Sequence, residues 1–237
     1  MSTLDDKIIA ITGGSRGIGA AAAKLLAARG ATVFICGRSE SQIDGVADES
    51  SNIDGAVVDI RDEGAVDQWL ESIEDSEGHL DVLINNASIL GPKKALDETD
   101  VDAWRKTMDI NVTGTFVVIR RAYRLLRAAD RPVMINLSSS VGRKGRGGWG
   151  AYSVSKFAVE GMSEVAADEL ADDAGCVITL NPGGTATKMR AEAYPDEDPE
   201  TLPGPDEVAQ TIGHLVETLS PEHNGEKYSS RELFDEI

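Results

Sequence analysis

A hydroxyl, a phenol and an amine stand close together in Ser138-Ser139-Ser140-Val141-Gly142 and Ala151-Tyr152-Ser153-Val154-Ser155-Lys156. If Tyr152 opens a helix, Lys156 lies one turn on, and both side chains occupy one face within reach of a shared ligand. The chemistry open to such a set is proton transfer. A phenol of pKa near ~10 is a poor proton shuttle at neutral pH, and each unit of lowering needs about 1.4 kcal/mol of preference for the phenolate. Lys156 is the cation expected to supply that preference, and Ser139 the donor that holds a substrate oxygen still. Ser138 and Ser140 are reserve candidates for that role. A tyrosine and a lysine four apart on a helix are also an ordinary surface pair, so the surrounding elements must decide between the two readings.

Those elements alternate. Lys7 to Thr12 is a short apolar run bounded by Gly13-Gly14 and reads as a buried strand, followed by a helix from Ser15 to Arg29 with Gly30 as its stop. Thr32 to Cys36, Gly55 to Val58, Val82 to Asn85, Val133 to Leu137 and Val177 to Leu180 read as further strands. Helices are expected from Ser39, after Asp62 as a cap with Val66, Trp69, Leu70 and Ile73 inward, and over Tyr152 to Ala171. A long helix is expected from Thr99 as N-cap to about Arg127, with Trp104, Met108 and Val112 inward. The cluster Arg120, Arg121, Arg124 and Arg127 at its end suits the helix dipole and solvent. This order predicts an α/β, Rossmann-type, doubly wound and mostly parallel sheet with helices on both faces, as one domain over residues 1–237. Ligands of such sheets bind at the carboxyl ends of the strands.

At the first of those ends lies Thr12-Gly13-Gly14-Ser15-Arg16-Gly17-Ile18-Gly19. Glycines let the backbone approach a pyrophosphate, and the helix N-terminus offers it free N–H groups. The spacing is G-x-x-x-G-x-G. After the second strand, where an NAD-selective site would carry an acid for the ribose 2'-hydroxyl, stand Cys36-Gly37-Arg38. Arg38, joined by Arg16, can clamp a 2'-phosphate, so NADP(H) is the expected cofactor ahead of NAD(H).

Composition narrows the partners. The net charge is -18, from 41 acidic and 23 basic residues, which argues against nucleic acid or an anionic membrane as partner. Molar salt shortens the screening length to about 3 Å, so the acidic surface predicts a salt-adapted cytoplasm and a melting temperature that climbs from low to molar KCl. A flat or falling trend would count against it. No apolar run reaches the ~18 residues of a membrane span, and the start from Met1 lacks the features of a signal peptide, which favours the cytoplasm. Cys36 and Cys176 read as buried thiols, and the scattered His79, His214 and His223 suggest no metal site.

Taken jointly, these motifs resemble the short-chain dehydrogenase/reductase family over about residues 7 to 190. Thr12 to Gly19 resembles its cofactor loop and Asn85-Asn86-Ala87 its strand-four motif; Asn111, Ser139, Tyr152 and Lys156 match its tetrad, and Pro182-Gly183 with Thr187 its nicotinamide loop. The family spacing of thirteen residues before the tyrosine selects Ser139. The resemblance implies that Gly13, Ser15, Arg16, Gly17, Ile18, Gly19, Asp59, Ile60, Asn86, Ala87, Pro182, Gly183, Thr185 and Thr187 contact cofactor. It also implies that Asn85 helps to shape the cleft, that Asn111 holds a water in a proton relay, and that Asp81 steadies the glycine loop. Ser138 to Arg146 with Trp149 to Tyr152, and Asn181 to Thr185, resemble a bacterial subgroup of poorly characterised, 3-oxoacyl-carrier-reductase-like oxidoreductases. Many family members close their sheet with a glycine-rich segment that supports a tetramer. Here Asn224 to Ile237 stands instead, so a seventh strand is weakly expected and a tetramer is in doubt, while the resemblance implies a homodimer through the helices near 101–127 and 152–171.

The implied reaction interconverts a carbonyl and a secondary alcohol, with Lys156 also on the nicotinamide ribose. Small ketones, 3-oxoacyl thioesters and sugars remain open as substrates. The basic loop Arg143-Lys144-Gly145-Arg146 points to an anion, or else to pairing with surface carboxylates. The acidic lid Met189 to Pro203, with Tyr194, points away from a bulky anion. A non-catalytic NADP-binding sensor is the alternative. It would need the glycine loop but not the tetrad.

Overall fold

The computed structural model describes residues 4–234. The start at Met1 to Thr3 and the last residues, Asp235 to Ile237, lie outside the described residues.

Seven strands form one sheet: β1 (Ile8–Thr12), β2 (Thr32–Gly37), β3 (Ile53–Val57), β4 (Val82–Asn85), β5 (Val133–Leu137), β6 (Cys176–Asn181) and β7 (Lys227–Ser229). Their order is β3-β2-β1-β4-β5-β6-β7, and every pairing is parallel. Parallel neighbours need crossovers, which are supplied by α1 (Gly17–Ala28), α2 (Glu40–Ala47), α3 (Glu63–Glu77), α4 (Val101–Met108) continuing into α5 (Thr115–Leu126), α6 (Ser140–Arg143), α7 (Gly150–Glu169), α8 (Lys188–Ala193) and α9 (Pro205–Thr218). A short α10 (Ser230–Leu233) follows β7.

The inner strands β1, β2, β4, β5 and β6 are buried and mostly apolar because both faces are covered, whereas the edge strands β3 and β7 are partly exposed. Ile9, Ile11, Ile35, Ile84, Ile135 and Ile178 point to the side of α1, α2 and α9. Ala10, Phe34, Leu83, Met134 and Val177 point to the side of α3, α5 and α7. Asp62 caps α3 by accepting from Ala65 N at 3.1 Å, and Val66, Trp69, Leu70 and Ile73 are its buried stripe, as the sequence indicates.

Several local expectations change. Asp100, not Thr99, caps α4, accepting from the amides of Asp102 and Ala103 at 3.0 and 2.9 Å. Thr99 turns its hydroxyl back to Ala95 O instead. The long helix is interrupted by a wider π-helical turn over Asp109–Gly114, which rotates the face that follows it. Thr107, Ile110 and Asn111 are therefore buried, whereas Trp104, Met108 and Val112 are half-buried. Arg121, Arg124 and Arg127 reach Asp67, Glu74 and Asp173 at 2.7, 2.5 and 2.9 Å, so that cluster is a set of surface ion pairs.

The sequence reading passed over α9, although Pro205 at its first turn and Glu207 folding back to Gly204 N mark its start. Arg29 at the end of α1 ties it down through Gln210 and Glu217 at 2.6 and 3.0 Å. The seventh strand also forms without a glycine-rich segment. Arg143 Nη2 donates to Tyr228 O at 2.9 Å and to Thr179 Oγ1 at 3.1 Å, which pins β7 to β6.

Candidate active site

The sheet order reverses between β1 and β4, and the crevice opens at the carboxyl ends of those strands. Gly13 leaves β1 with φ 67°, and a Cβ there would lie 2.9 Å from both Ala87 Cα and Asn86 Nδ2. Left-handed backbone and close approach together leave room for glycine alone. Asn86 braces this loop, donating through Nδ2 to Thr12 O and Gly13 O at 3.0 Å each. Thr12 Oγ1 in return accepts from the amides of Asn86 and Ala87 at 3.1 Å.

The role expected of Asp81 thus falls to Asn86. Asp81 lies at the opposite end of β4, where it accepts from Ile8 N at 2.9 Å and from Lys7 Nζ at 2.8 Å. Asn85 is likewise not a wall of the cleft. Its side chain points beneath it and donates to Asn136 Oδ1 at 2.8 Å.

The cleft encloses about 360 Å³ and runs from Arg16, Arg38 and Asp59 at one end to Tyr152 and Lys156 at the other. Gly13, Ser15, Gly17, Ile18, Ile60, Asn86, Ala87, Pro182 and Thr187 also line it. Gly19, Gly183 and Thr185 do not. Gly19 packs under Gly13 O, Gly183 faces Arg231, and Thr185 is buried behind the loop. Ser39, Gln42, Ser88 and Lys188 line the cleft without having been singled out. Ser39 could have been found, since it follows Arg38 directly at the strand end; Gln42 and Lys188 arrive from helices whose rotation is settled only by packing.

Three observations fit a phosphorylated dinucleotide here. The first-turn amides of α1 have no side-chain cap, Arg16 and Arg38 face the cleft, and Ser138 Oγ is buried at the cleft wall without a partner among the described residues. Asp59, which lines the cleft with the two arginines, is occupied by Arg61 at 2.5 Å, and that bond holds its carboxyl below the usual range.

At the other end, Tyr152 and Lys156 are both buried on α7, at 8% and 4% exposure, which removes the surface-pair reading. Ser139 caps α6, accepting from Val141 N at 3.4 Å, and its side chain lies beside the Tyr152 phenol. Gly142 on α6 lets this cap sit against α7, since a Cβ there would fall 2.7 to 3.0 Å from Lys156 atoms, backbone included. Asn111, turned inward by the π-helical segment, accepts from Ile89 N at 2.8 Å and donates to Ile89 O and Ser155 Oγ at 2.9 and 3.0 Å. It braces the cleft wall against α7.

Electrostatics depart from the simple expectation. Burial pushes the Tyr152 phenol up to about 12, and the group that opposes this is Ser139 rather than Lys156. The Lys156 ammonium is aimed at Leu137 O, 2.6 Å away, and lies 5.7 Å from the Tyr152 ring centre. Burial lowers Lys156 itself to about 8, against the opposing pull of Glu160 one turn on. Because the folded state favours the neutral amine, stability from this group is full above the ordinary lysine value and is lost as pH falls through about 8. Wild-type protein is therefore expected to gain melting temperature relative to Lys156→Met between about pH 7 and about pH 9.5. A constant difference between the two would refute this.

Glu160 is itself buried and is held by Arg143 Nε at 3.0 Å and by Thr179 Oγ1 at 3.1 Å. Arg143 is therefore a structural cation, unlike its loop neighbours Lys144 and Arg146. Arg143→Met leaves Glu160 buried with Lys227, 3.5 Å away, as its remaining ion-pair partner, and should cost about 3 kcal/mol by denaturant unfolding. A companion Glu160→Gln change should recover much of that loss.

Beyond Tyr152 the wall is apolar. Leu90, Val141, Trp149, Tyr152 and Ala193 form a cluster with Met189 and Tyr194 from the lid. Trp149 lies 6.0 Å from Tyr152 and 5.8 Å from Tyr194, ring centre to ring centre.

A nucleotide-shaped crevice ending in a buried tyrosine and lysine, with the half-buried Ser139 beside them, defines a dinucleotide-dependent oxidoreductase fold. The family model for short chain dehydrogenase matches residues 7–198, and the chain belongs to that family. Among its relatives is the uncharacterized oxidoreductase YciK of Escherichia coli (strain K12), 39% identical over 212 residues, which cover 86% of this chain and 84% of that one. The cis-4-hydroxycyclohexanecarboxylate dehydrogenase of Sinomonas cyclohexanicum is 33% identical over 89% of each chain. A crystal structure from Shigella flexneri 2a str. 301, complexed with NADP, superposes with a TM-score of 0.92 at 35% identity, over 97% of this chain and 99% of that one.

Proposed function

We propose that this protein is an NADP-dependent oxidoreductase that interconverts a carbonyl and a secondary alcohol, with Tyr152 as general acid and base. The observation that carries this reading is the burial of Tyr152 on the same helix face as Lys156, at the end of the cleft away from Arg16 and Arg38. When bound, the dinucleotide supplies hydride to the carbonyl carbon. Ser139 orients the carbonyl oxygen, and Tyr152 gives that oxygen its proton.

Lys156 is assigned to the nicotinamide ribose, and Asn111, anchored beside Ser155, to the link with bulk water. Arg16 and Arg38 are assigned to the 2'-phosphate, and the NADP bound to the Shigella relative supports that choice. NADPH consumption over a panel of ketones and aldehydes tests the proposal. Tight NADPH binding with turnover on none of them would favour a sensor instead.

The sheet and both its covering layers draw on residues from Leu4 to Phe234, which supports one domain for the whole chain. Phe116, Phe157 and Val165, at 50%, 45% and 59% exposure on α5 and α7, support a homodimer through those helices. No helix among the described residues is long and apolar enough to cross a membrane. We further assign the acidic surface to a salt-rich cytoplasm, for which the KCl dependence of melting is the test.

A further inference from the structure

Among the described residues three charged side chains are buried: Asp81, Lys156 and Glu160. Asp81 is answered by Lys7 and the Ile8 amide at the far end of the sheet. The other two belong together. Tyr152, Lys156 and Glu160 follow one another at intervals of one helical turn along the buried face of α7, at 8%, 4% and 5% exposure. A carboxylate in such a place is costly unless donors answer it, and proton transfer at Tyr152 does not itself call for one.

The donors come chiefly from α6, the short helix that Ser139 caps and Arg143 ends. Three successive residues of α6 are fastened to α7. Val141 O accepts from Ser153 Oγ at 2.6 Å, Gly142 leaves no room for a Cβ beside Lys156, and Arg143 Nε donates to Glu160 Oε1 at 3.0 Å. The other oxygen, Glu160 Oε2, accepts from Thr179 Oγ1 at 3.1 Å and lies 3.5 Å from Lys227 Nζ. One small element thus carries Ser139 at its start and, at its end, the guanidinium that holds Glu160.

Charges one turn apart in a dry interior act on each other strongly. Glu160 favours the ammonium form of Lys156, against the burial that disfavours it. Arg143, bonded to that carboxylate, offsets part of the attraction. Lys156 otherwise meets Leu137 O of β5 at 2.6 Å and the Tyr152 ring at 5.7 Å. Lys227 and its partner Glu164, 2.7 Å apart, are the more exposed charges beside Glu160.

We propose that Glu160 and Arg143 are a positioning pair for the catalytic end, in which the carboxylate keeps Lys156 charged while the guanidinium limits that pull and anchors the Ser139 helix to α7. The inference rests on the redox reading for what Lys156 does with its charge, but not for how the charge is set.

The test follows the Lys156 side chain through a pH titration by NMR, in intact protein carrying carbon-13 at lysine Cε, with the signal assigned by its loss in Lys156→Met. Glu160→Gln keeps the shape and can still accept from Arg143, but removes the negative charge. Lys156 should then lose its proton about one pH unit lower than in wild type. Arg143→Met removes the offsetting cation and should move the titration up by a similar amount, and Arg143→Lys should bring it back toward wild type. A merely structural pair behaves differently, because either change loosens the packing, admits water and moves Lys156 upward, toward the ordinary lysine value. Should Arg143→Met fail to fold, Glu160→Gln decides alone. A rise or no change in Glu160→Gln, or a fall or no change in folded Arg143→Met, would overturn the inference. NADPH consumption by the wild type on the ketone and aldehyde panel is read separately. Opposite shifts with turnover on none of them would remove the redox reading and leave the pair, whereas turnover with shifts of one sign would do the reverse.

Discussion

In Tyr152→Phe, turnover of NADPH with any carbonyl substrate is expected to fall by about a hundred- to ten-thousandfold, the range contributed by a positioned acid. The change removes one oxygen from a ring that is already buried and packed 6.0 Å from Trp149. The apolar wall therefore persists, and NADPH affinity should stay within about threefold of wild type because the phenol is not among the phosphate-binding groups. Ser139 cannot substitute as the acid. Its hydroxyl is the cap of α6, accepting from Val141 N at 3.4 Å, and an aliphatic alcohol is a much weaker acid than a phenol. Stopped-flow single turnover separates this from slow product release, since loss of the proton donor slows the first turnover as much as later ones. Near-normal first-turnover rates in the variant would remove Tyr152 from the mechanism.

The second large effect concerns the cofactor. Arg38→Asp should lower kcat/KM for NADPH by about a hundredfold or more, while kcat/KM for NADH holds or rises. A charge-assisted bond to the 2'-phosphate is worth about 1.5–3 kcal/mol, and an acid in its place adds repulsion. The same acid can accept from a ribose 2'-hydroxyl. The effect depends on Arg38 being free of a local partner. Asp59, the nearby acid, is taken by Arg61 through bonds of 2.5 to 3.2 Å, so Arg38 keeps its charge for the ligand. Arg16→Ala should add a smaller loss, since Arg16 flanks the loop rather than the strand end. Equal losses for NADPH and NADH in Arg38→Asp would mean that the residue supports the fold instead of reading the phosphate.

Much of this site was legible before any coordinates. The apolar runs that become β1, β2, β4, β5 and β6 are local in sequence, and so is the glycine loop that joins β1 to α1. Tyr152 and Lys156 are one helical turn apart, so their common face follows from periodicity alone. The choice of Ser139 among three serines came from resemblance, not from chemistry; the side chain of Ser139 lies beside the phenol, whereas Ser140 is exposed.

What stayed hidden depends on partners far along the chain. Whether Asn86 or Asp81 braces the glycine loop turns on contacts across more than seventy residues, and the amide and the acid look equally suited until β4 is in register with β1. Asn111 could not be oriented because the π-helical turn around it has no distinct composition.

The sequence by itself determined the alternation of strand and helix, the cofactor loop and the tyrosine–lysine pair, because each is set by neighbours within a turn or two. Only the tertiary structure decided which charges are spent. Arg143, Lys144 and Arg146 look alike in sequence, but the first is committed to a buried carboxylate while Arg146 faces the substrate wall. Ion pairing depends on distance in space, and residues 17 or 48 positions apart have no fixed distance until the chain has folded.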